Sequence, residues 1–136
     1  MAALVAGRNT QARSGSTREL PVKANAKIYA GAMVAVDAAG YAVPAATSTT
    51  LKVVGRADAL ADNAGGVDGA IKVKVSCGIF RFANSSAGDL IALADVNGTC
   101  YAVDDQTVAK TNGTNTRSAA GIIFDVDAQG VWVRIV

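Results

Sequence analysis

The chain has 136 residues and a formal charge of +2; 51% of the residues are hydrophobic and only 5% aromatic. That length fits one domain with a self-standing core built from Ala, Val, Ile and Leu. Histidine is absent, which excludes Ser–His–Asp and Cys–His catalysis, histidine-ligated metals and imidazole-based pH switching.

The charge is unevenly spread. Residues 1–27 carry Arg8, Arg13, Arg18, Lys23 and Lys27 against Glu19, a net of +4, and the remaining chain is at −2. Residues 7–19 contain no large apolar side chain, so they cannot bury enough surface to offset the entropy of ordering. Residues 1–20 therefore read as an extended, flexible N-terminal arm, with Leu4 and Val5 as an apolar anchor and Arg8, Arg13 and Arg18 as cationic contacts for an acidic partner surface. No aromatic residue interleaves with these arginines to stack bases, so direct nucleic-acid binding is not expected. The apolar start, Met1 to Ala6, is too short for a signal peptide and lacks a preceding basic residue. No run reaches the ~18 apolar residues of a membrane helix, so no membrane partner is expected.

From residue 21 to 136 the pattern is one of short strands with turn punctuation. In residues 26–36, Ile28, Ala30, Ala32, Val34 and Val36 share one face at period two, while Lys27, Tyr29, Gly31, Met33 and Ala35 form a less clearly solvent-facing side. Asp37-Ala-Ala-Gly40 then makes a turn, with Asp bonding the backbone ahead of it and Gly supplying positive φ. Asp127-Ala-Gln-Gly130 repeats that chemistry between Ile122–Val126 and Val131–Val136. Residues 51–60 form a weak strand with a bulge or bend at Gly55, and residues 57–64 are compatible with one short helical turn. Residues 62–69 are a loop.

Ile71, Val73, Val75 and Cys77 point inward, and Lys72, Lys74 and Ser76 outward. Phe80 and Phe82 fall on the opposite parity, so a bulge near Gly78 is needed to return them to the core. Leu90–Leu93 and Thr99–Val103 read as a further strand pair, and residues 110–118 as a long polar loop. Asn84-Ser-Ser86, Asn97-Gly-Thr99 and Asn112-Gly-Thr114 match a glycosylation pattern but read as turns. Strands recurring about every ten residues, with no sustained helical stripe, make this an all-β chain: a small β-sandwich or barrel with a flexible extended N-terminal arm.

Catalytic chemistry finds no foothold in the residue inventory. Asp62 and Asp68 flank a double glycine but fail the spacing of a calcium loop. Asp104 and Asp105 are adjacent, and strand neighbours face opposite ways, so they cannot share a proton. Lys72 and Lys74 look outward, where no burial would lower an amine pKa. Cys77 and Cys100 read as small hydrophobes; a disulfide needs their strands to be neighbours, and zinc lacks a four-ligand set. No catalytic residue, metal or cofactor is expected, and binding or structural work fits the composition better than an enzyme.

Four stretches carry a family resemblance: Val22-Lys-Ala-Asn-Ala-Lys-Ile-Tyr through Val43, Gly78-Ile-Phe-Arg-Phe-Ala-Asn84, Cys100-Tyr-Ala-Val-Asp-Asp-Gln-Thr-Val-Ala109, and Asn115-Thr-Arg-Ser-Ala-Ala-Gly121 continuing to Asp127. In this order the chain, from about residue 20 to its end, resembles the capsid cement (decoration) proteins of tailed bacteriophages. The resemblance implies a virion protein on the outer surface of an icosahedral head, made in the host cytoplasm. It would bridge neighbouring major capsid subunits against DNA pressure and form homo-oligomers, trimers rather than dimers. It transfers no binding residue. A minor head–tail, tail or fibre component and a carbohydrate-binding β module are the other readings of the same pattern.

Overall fold

The computed structural model describes residues 2–136 and is all-β, with twelve strands in three antiparallel sheets. In chain order these are β1 (Thr17–Pro21), β2 (Lys27–Ile28), β3 (Met33–Val36), β4 (Ala42–Pro44), β5 (Lys52–Ala57), β6 (Ala61–Asp62), β7 (Lys72–Ser76), β8 (Gly78–Phe82), β9 (Thr99–Ala102), β10 (Val108–Ala109), β11 (Ala119–Asp127) and β12 (Gly130–Ile135). The first sheet runs β1-β7-β5-β3-β4, the second β10-β9-β11-β12-β8, and β2 pairs with β6 alone.

The two large sheets pack face to face as a small sandwich. Met33 and Ala35 of the first sheet meet Phe82, Cys100, Ile123, Val131, Val133 and Ile135 of the second. A second cluster lies on the other face of the first sheet, where Val34, Val54, Val73 and Val75 pack with Val22, Ile28 and Ala61 under the β2–β6 pair. Consecutive β3 residues point to opposite faces, so both faces of that strand are buried. This explains why the second face of residues 26–36 carries no polar signature. The expected continuous strand is broken between β2 and β3 by a turn through Tyr29–Ala32, in which Gly31 takes φ +86°. Ala30 is consequently exposed, whereas Ile28, Ala32, Val34 and Val36 keep to the shared face.

Both Asp-x-x-Gly turns form as their chemistry requires. Asp37 Oδ1 accepts the N–H groups of Ala39 and Tyr41, each at 3.0 Å, and Gly40 takes φ +91°. Asp127 Oδ1 accepts from the Gln129 N–H at 2.8 Å. The alternation in β7 also holds, with Val73 and Val75 buried against exposed Lys72 and Lys74.

Other expectations are corrected. Phe80 and Phe82 do reach the core, but no bulge brings them there: the chain leaves the first sheet at Cys77 and enters the second at Gly78, which inverts which parity is inside. Residues 57–64 hold no helical turn, since β5 runs to Ala57 and β6 starts at Ala61. Leu90–Leu93 is not a strand. Two short 3-10 turns, Ala87–Asp89 and Leu93–Asp95, replace it, with Ile91 buried between them and Asn84 clamping its backbone through Oδ1 and Nδ2. The arm is shorter than residues 1–20, because Thr17–Pro21 pairs with β7.

A bulge does sit at Gly55. Val34 pairs with Gly55 and Ala35 with Val53, leaving Val54 as the extra residue. Val54 and Ala57, three apart, thereby reach the same cluster. Gly55 has φ +154°, and a Cβ there would press on the Ser76 carbonyl and the Val75 side chain. Gly55→Ala should therefore lower stability by about 1–3 kcal/mol, measurable as a reduced midpoint in urea denaturation.

Candidate functional site

The sequence places its candidate contacts on the arm, and the structure divides them. Residues 2–17 are all exposed and those before Thr17 form no strand, so Leu4, Val5, Arg8 and Arg13 are available to a partner. Arg18 is not. It lies in β1 opposite Val75, half-buried, and its guanidinium donates to the Val54 carbonyl at 3.2 Å. That side chain ties an edge strand to β5 and belongs to the fold. The base of the arm is seated, since the Cys77 N–H donates to the Ser16 carbonyl at 2.9 Å, and Arg13, Ser14 and Gly15 line a depression with Cys77 and Val136.

Sequence reasoning missed a second feature, a groove between the two sheets. One half, of about 420 Å³, is lined by Gly31, Arg56, Ile79, Phe80, Arg81, Phe82 and Trp132. The other half, of about 380 Å³, is lined by Tyr29 to Ala32 with Asp105 and Gln106, and the halves share Gly31. Backbone bonds fix its walls. The Gly31 N–H donates to the Ala57 carbonyl at 2.9 Å, and the Met33 N–H to the Asp105 carbonyl at 2.7 Å. The Ala83 N–H donates to the Gln106 carbonyl, also at 2.7 Å. Motif spacing could not show this groove, because its lining comes from five separate stretches of chain.

The two halves differ in charge. In the first, Arg56 lies 4.4 Å from the centre of the Phe80 ring and Arg81 lies 5.6 Å from that of Trp132, so each guanidinium rests on an aromatic face. Arg56 is held by Asp58 at 3.0 Å. The Ser76 hydroxyl donates to the same carboxylate and, with Arg56, holds Asp58 below its ordinary pKa against the opposing effect of burial. The Trp132 indole donates to Asp127 at 2.8 Å and, with the Gln129 N–H, holds that carboxyl low as well. In the second half Tyr29 is 58% exposed with Lys27 5.0 Å from its ring centre, and Asp105 supplies a carboxylate. Among the described residues the ion pairs are taken by Asp37, Asp58, Asp89 and Asp95; Asp105, like the six other acidic residues, has no paired cation.

The remaining polar candidates serve turns. Asp62 Oδ1 accepts from the Ala64 N–H and Asp68 Oδ1 from the Ala24 N–H. Asn63, unremarkable in the sequence, is buried and donates to the carbonyls of Val22, Lys23 and Val67, so it holds the 62–69 loop against the chain entering the second cluster. Among the described residues no group of three potential metal ligands comes together, and no helix is long and apolar enough to cross a membrane.

No protein-family model, curated protein or solved structure matches the chain.

Both cysteines are free thiols. Cys100 is fully buried, and burial pushes its pKa up to about 11, so it stays protonated at neutral pH; the thiolate is the reactive form. Iodoacetamide at pH 7.5 should leave Cys100 unmodified in the folded protein and alkylate it once denaturant is added, as read by peptide mass spectrometry.

Proposed function

We propose that the chain is a structural virion protein, a capsid cement or decoration protein. In this reading it binds the outer surface of an icosahedral phage head and bridges neighbouring major capsid subunits. One observation carries the proposal on the structural side: a close-packed sandwich bearing a basic, wholly exposed segment whose apolar tip is left outside its own core. Val5 is 101% exposed and Leu4 72%, and such side chains gain free energy when a partner covers them. The resemblance of residues 20–136 to cement proteins supplies the identity of that partner, the assembled coat lattice.

The physical logic is that of a clamp. A rigid sandwich holds position while the arm, ordered only on contact, lays backbone and side chains on a neighbouring surface. Ordering costs entropy, so each contact is modest, but several arms joined in one oligomer raise the effective concentration for the later contacts. Binding to the assembled shell alone then stabilises that shell by mass action. A tail or fibre role would use the same fold in few copies per particle. A carbohydrate-binding role is less well supported, because Phe80 and Trp132 each already carry a guanidinium on a ring face.

A chain lacking residues 2–12 keeps β1 and the seated Arg13–Ser16 stretch, so it should fold with an unchanged thermal midpoint and fail to decorate purified expanded heads. Full-length protein should bind those heads, with occupancy falling as salt rises, since Arg8 and Arg13 are exposed charges subject to screening. Equal head saturation by the truncated and full-length chains would overturn the reading, as would the absence of head binding by the full chain.

A further inference from the structure

We propose that Asn97 is a self-modification site: in the folded protein its side-chain amide is lost spontaneously, giving aspartate and isoaspartate, while the matching Asn112 is held back by the fold. The inference is independent of what the arm binds.

The chemistry requires an asparagine followed by a residue whose main-chain nitrogen is unobstructed, and glycine, with no Cβ, meets that condition best. The glycine nitrogen attacks the asparagine Cγ. A new C–N bond closes a five-membered succinimide, and the side-chain nitrogen leaves as ammonia. Water then adds to one ring carbonyl and breaks its bond to the ring nitrogen. Opening at the side-chain carbonyl leaves isoaspartate's counterpart, ordinary main-chain isomer lost; opening at the main-chain carbonyl leaves isoaspartate, whose chain runs through the former side-chain carbons. The sequence Asn-Gly-Thr occurs twice, at residues 97–99 and 112–114. Identical tripeptides have similar intrinsic reactivity, so a difference between them in the native state is set by the fold.

Ring closure requires the peptide unit between Asn and Gly to swing about the Asn Cα–C bond, and the two units are restrained very differently. Asn97 stands at the third position of a type II turn. Val96 has φ −55° and ψ 138°, Asn97 has φ +71°, and the Gly98 N–H donates to the Asp95 carbonyl at 2.9 Å. Among the described residues no donor reaches the Asn97 carbonyl, so that single bond holds the unit. Asn97, Gly98 and Thr99 are all exposed.

The unit after Asn112 is pinned at both ends. The Asn112 carbonyl accepts the N–H groups of Thr116 at 2.9 Å and Arg117 at 3.0 Å, and the Gly113 N–H donates to Thr111 Oγ1 at 3.3 Å. Its side chain is bracketed by Asn115, donating from Nδ2 to Asn115 Oδ1 at 3.1 Å and accepting the Asn115 N–H at 3.2 Å. More bonds must break together before this ring can close, so the competent opening is rarer than at Asn97 by about tenfold or more.

Conversion at Asn97 reaches the core sheet. The Asn97 N–H donates to the Ile123 carbonyl at 2.8 Å, and the Gly98 carbonyl accepts the Ile123 N–H at 2.9 Å. Isoaspartate inserts one more main-chain carbon between these two bonds, which spoils their match to β11 where the chain enters β9.

The test uses the purified full chain, held in mildly alkaline buffer for several weeks, once folded and once in denaturing urea. Peptide mass spectrometry reads the exchange of NH2 for OH at each asparagine, and enzymatic methylation counts isoaspartate. In the folded protein Asn97 should convert about tenfold or more faster than Asn112; in urea the two should convert at similar rates. Folded protein in which Asn112 keeps pace with Asn97, or in which neither converts, overturns the proposal. So does a rate ratio that persists in urea, since the difference would then belong to the local sequence and not to the fold.

Discussion

The architecture depends on one constraint: the middle of the first sheet, β3 and the adjoining part of β5, is buried on both faces. Successive residues of β3, Met33, Val34 and Ala35, feed two separate cores, and Val53 and Val54 of β5 do the same. A strand covered on both sides has no solvent face for charged side chains and reads as a continuous apolar run, as β3 does, whereas β7 in the same sheet keeps Lys72 and Lys74 on solvent. The covered strand also has to fit between two layers, which favours small side chains and accounts for a core rich in Ala and Val and poor in aromatics. The β2–β6 pair, only two residues per strand, exists to cover the second of those cores. Asn63 anchors that cover by donating to three carbonyls from inside.

This constraint shapes the surface as well. The second cluster is closed by the chain between β1 and β3 and by the loops around β6. The first is closed by the second sheet, leaving an inter-sheet edge where β5, β8 and β12 come together. Arg56, Arg81, Phe80 and Trp132 gather there. The guanidiniums cover ring faces that the core has no room to enclose; Asp58 pairs with Arg56, and Asp127 accepts from the Trp132 indole on which Arg81 rests. Aromatic and arginine side chains at such an edge have the composition of a contact surface more than that of a solvated one.

The fold class was readable because turn chemistry and period-two patterns act over a few residues. Asp37 and Asp127 bond their own turns, and the β7 alternation needs nothing beyond its five residues. What failed was whatever depended on contacts outside the local strand pattern, near or far along the chain. Leu90–Leu93 looks like a strand, yet Asn84 captures its backbone and Ile91 alone goes inside. The parity change at Gly78 is a passage between sheets, which no local signal separates from a bulge. Arg18 looks like one more arm cation, but its place in β1 is set by Val73 and Val75 more than fifty residues later. The exposed tip, Leu4 and Val5 with Arg8, was visible from composition; the groove was not, since its lining is scattered along the chain from Tyr29 to Trp132.

The bridge between Ala83 and Thr107 draws the two margins of the second sheet together at one end. In the first sheet, β4 is only three residues long, ends in Pro44, which has no N–H to offer, and has Val22 bridged alongside it. The longer margins, β1 and β8, have five residues each, and β1 too ends in a proline, Pro21. A fibril grows only when each unit presents two sticky borders, one to receive and one to donate. Borders this short, bridged or ended by proline give a second molecule little backbone to pair with, which disfavours growth from edge to edge.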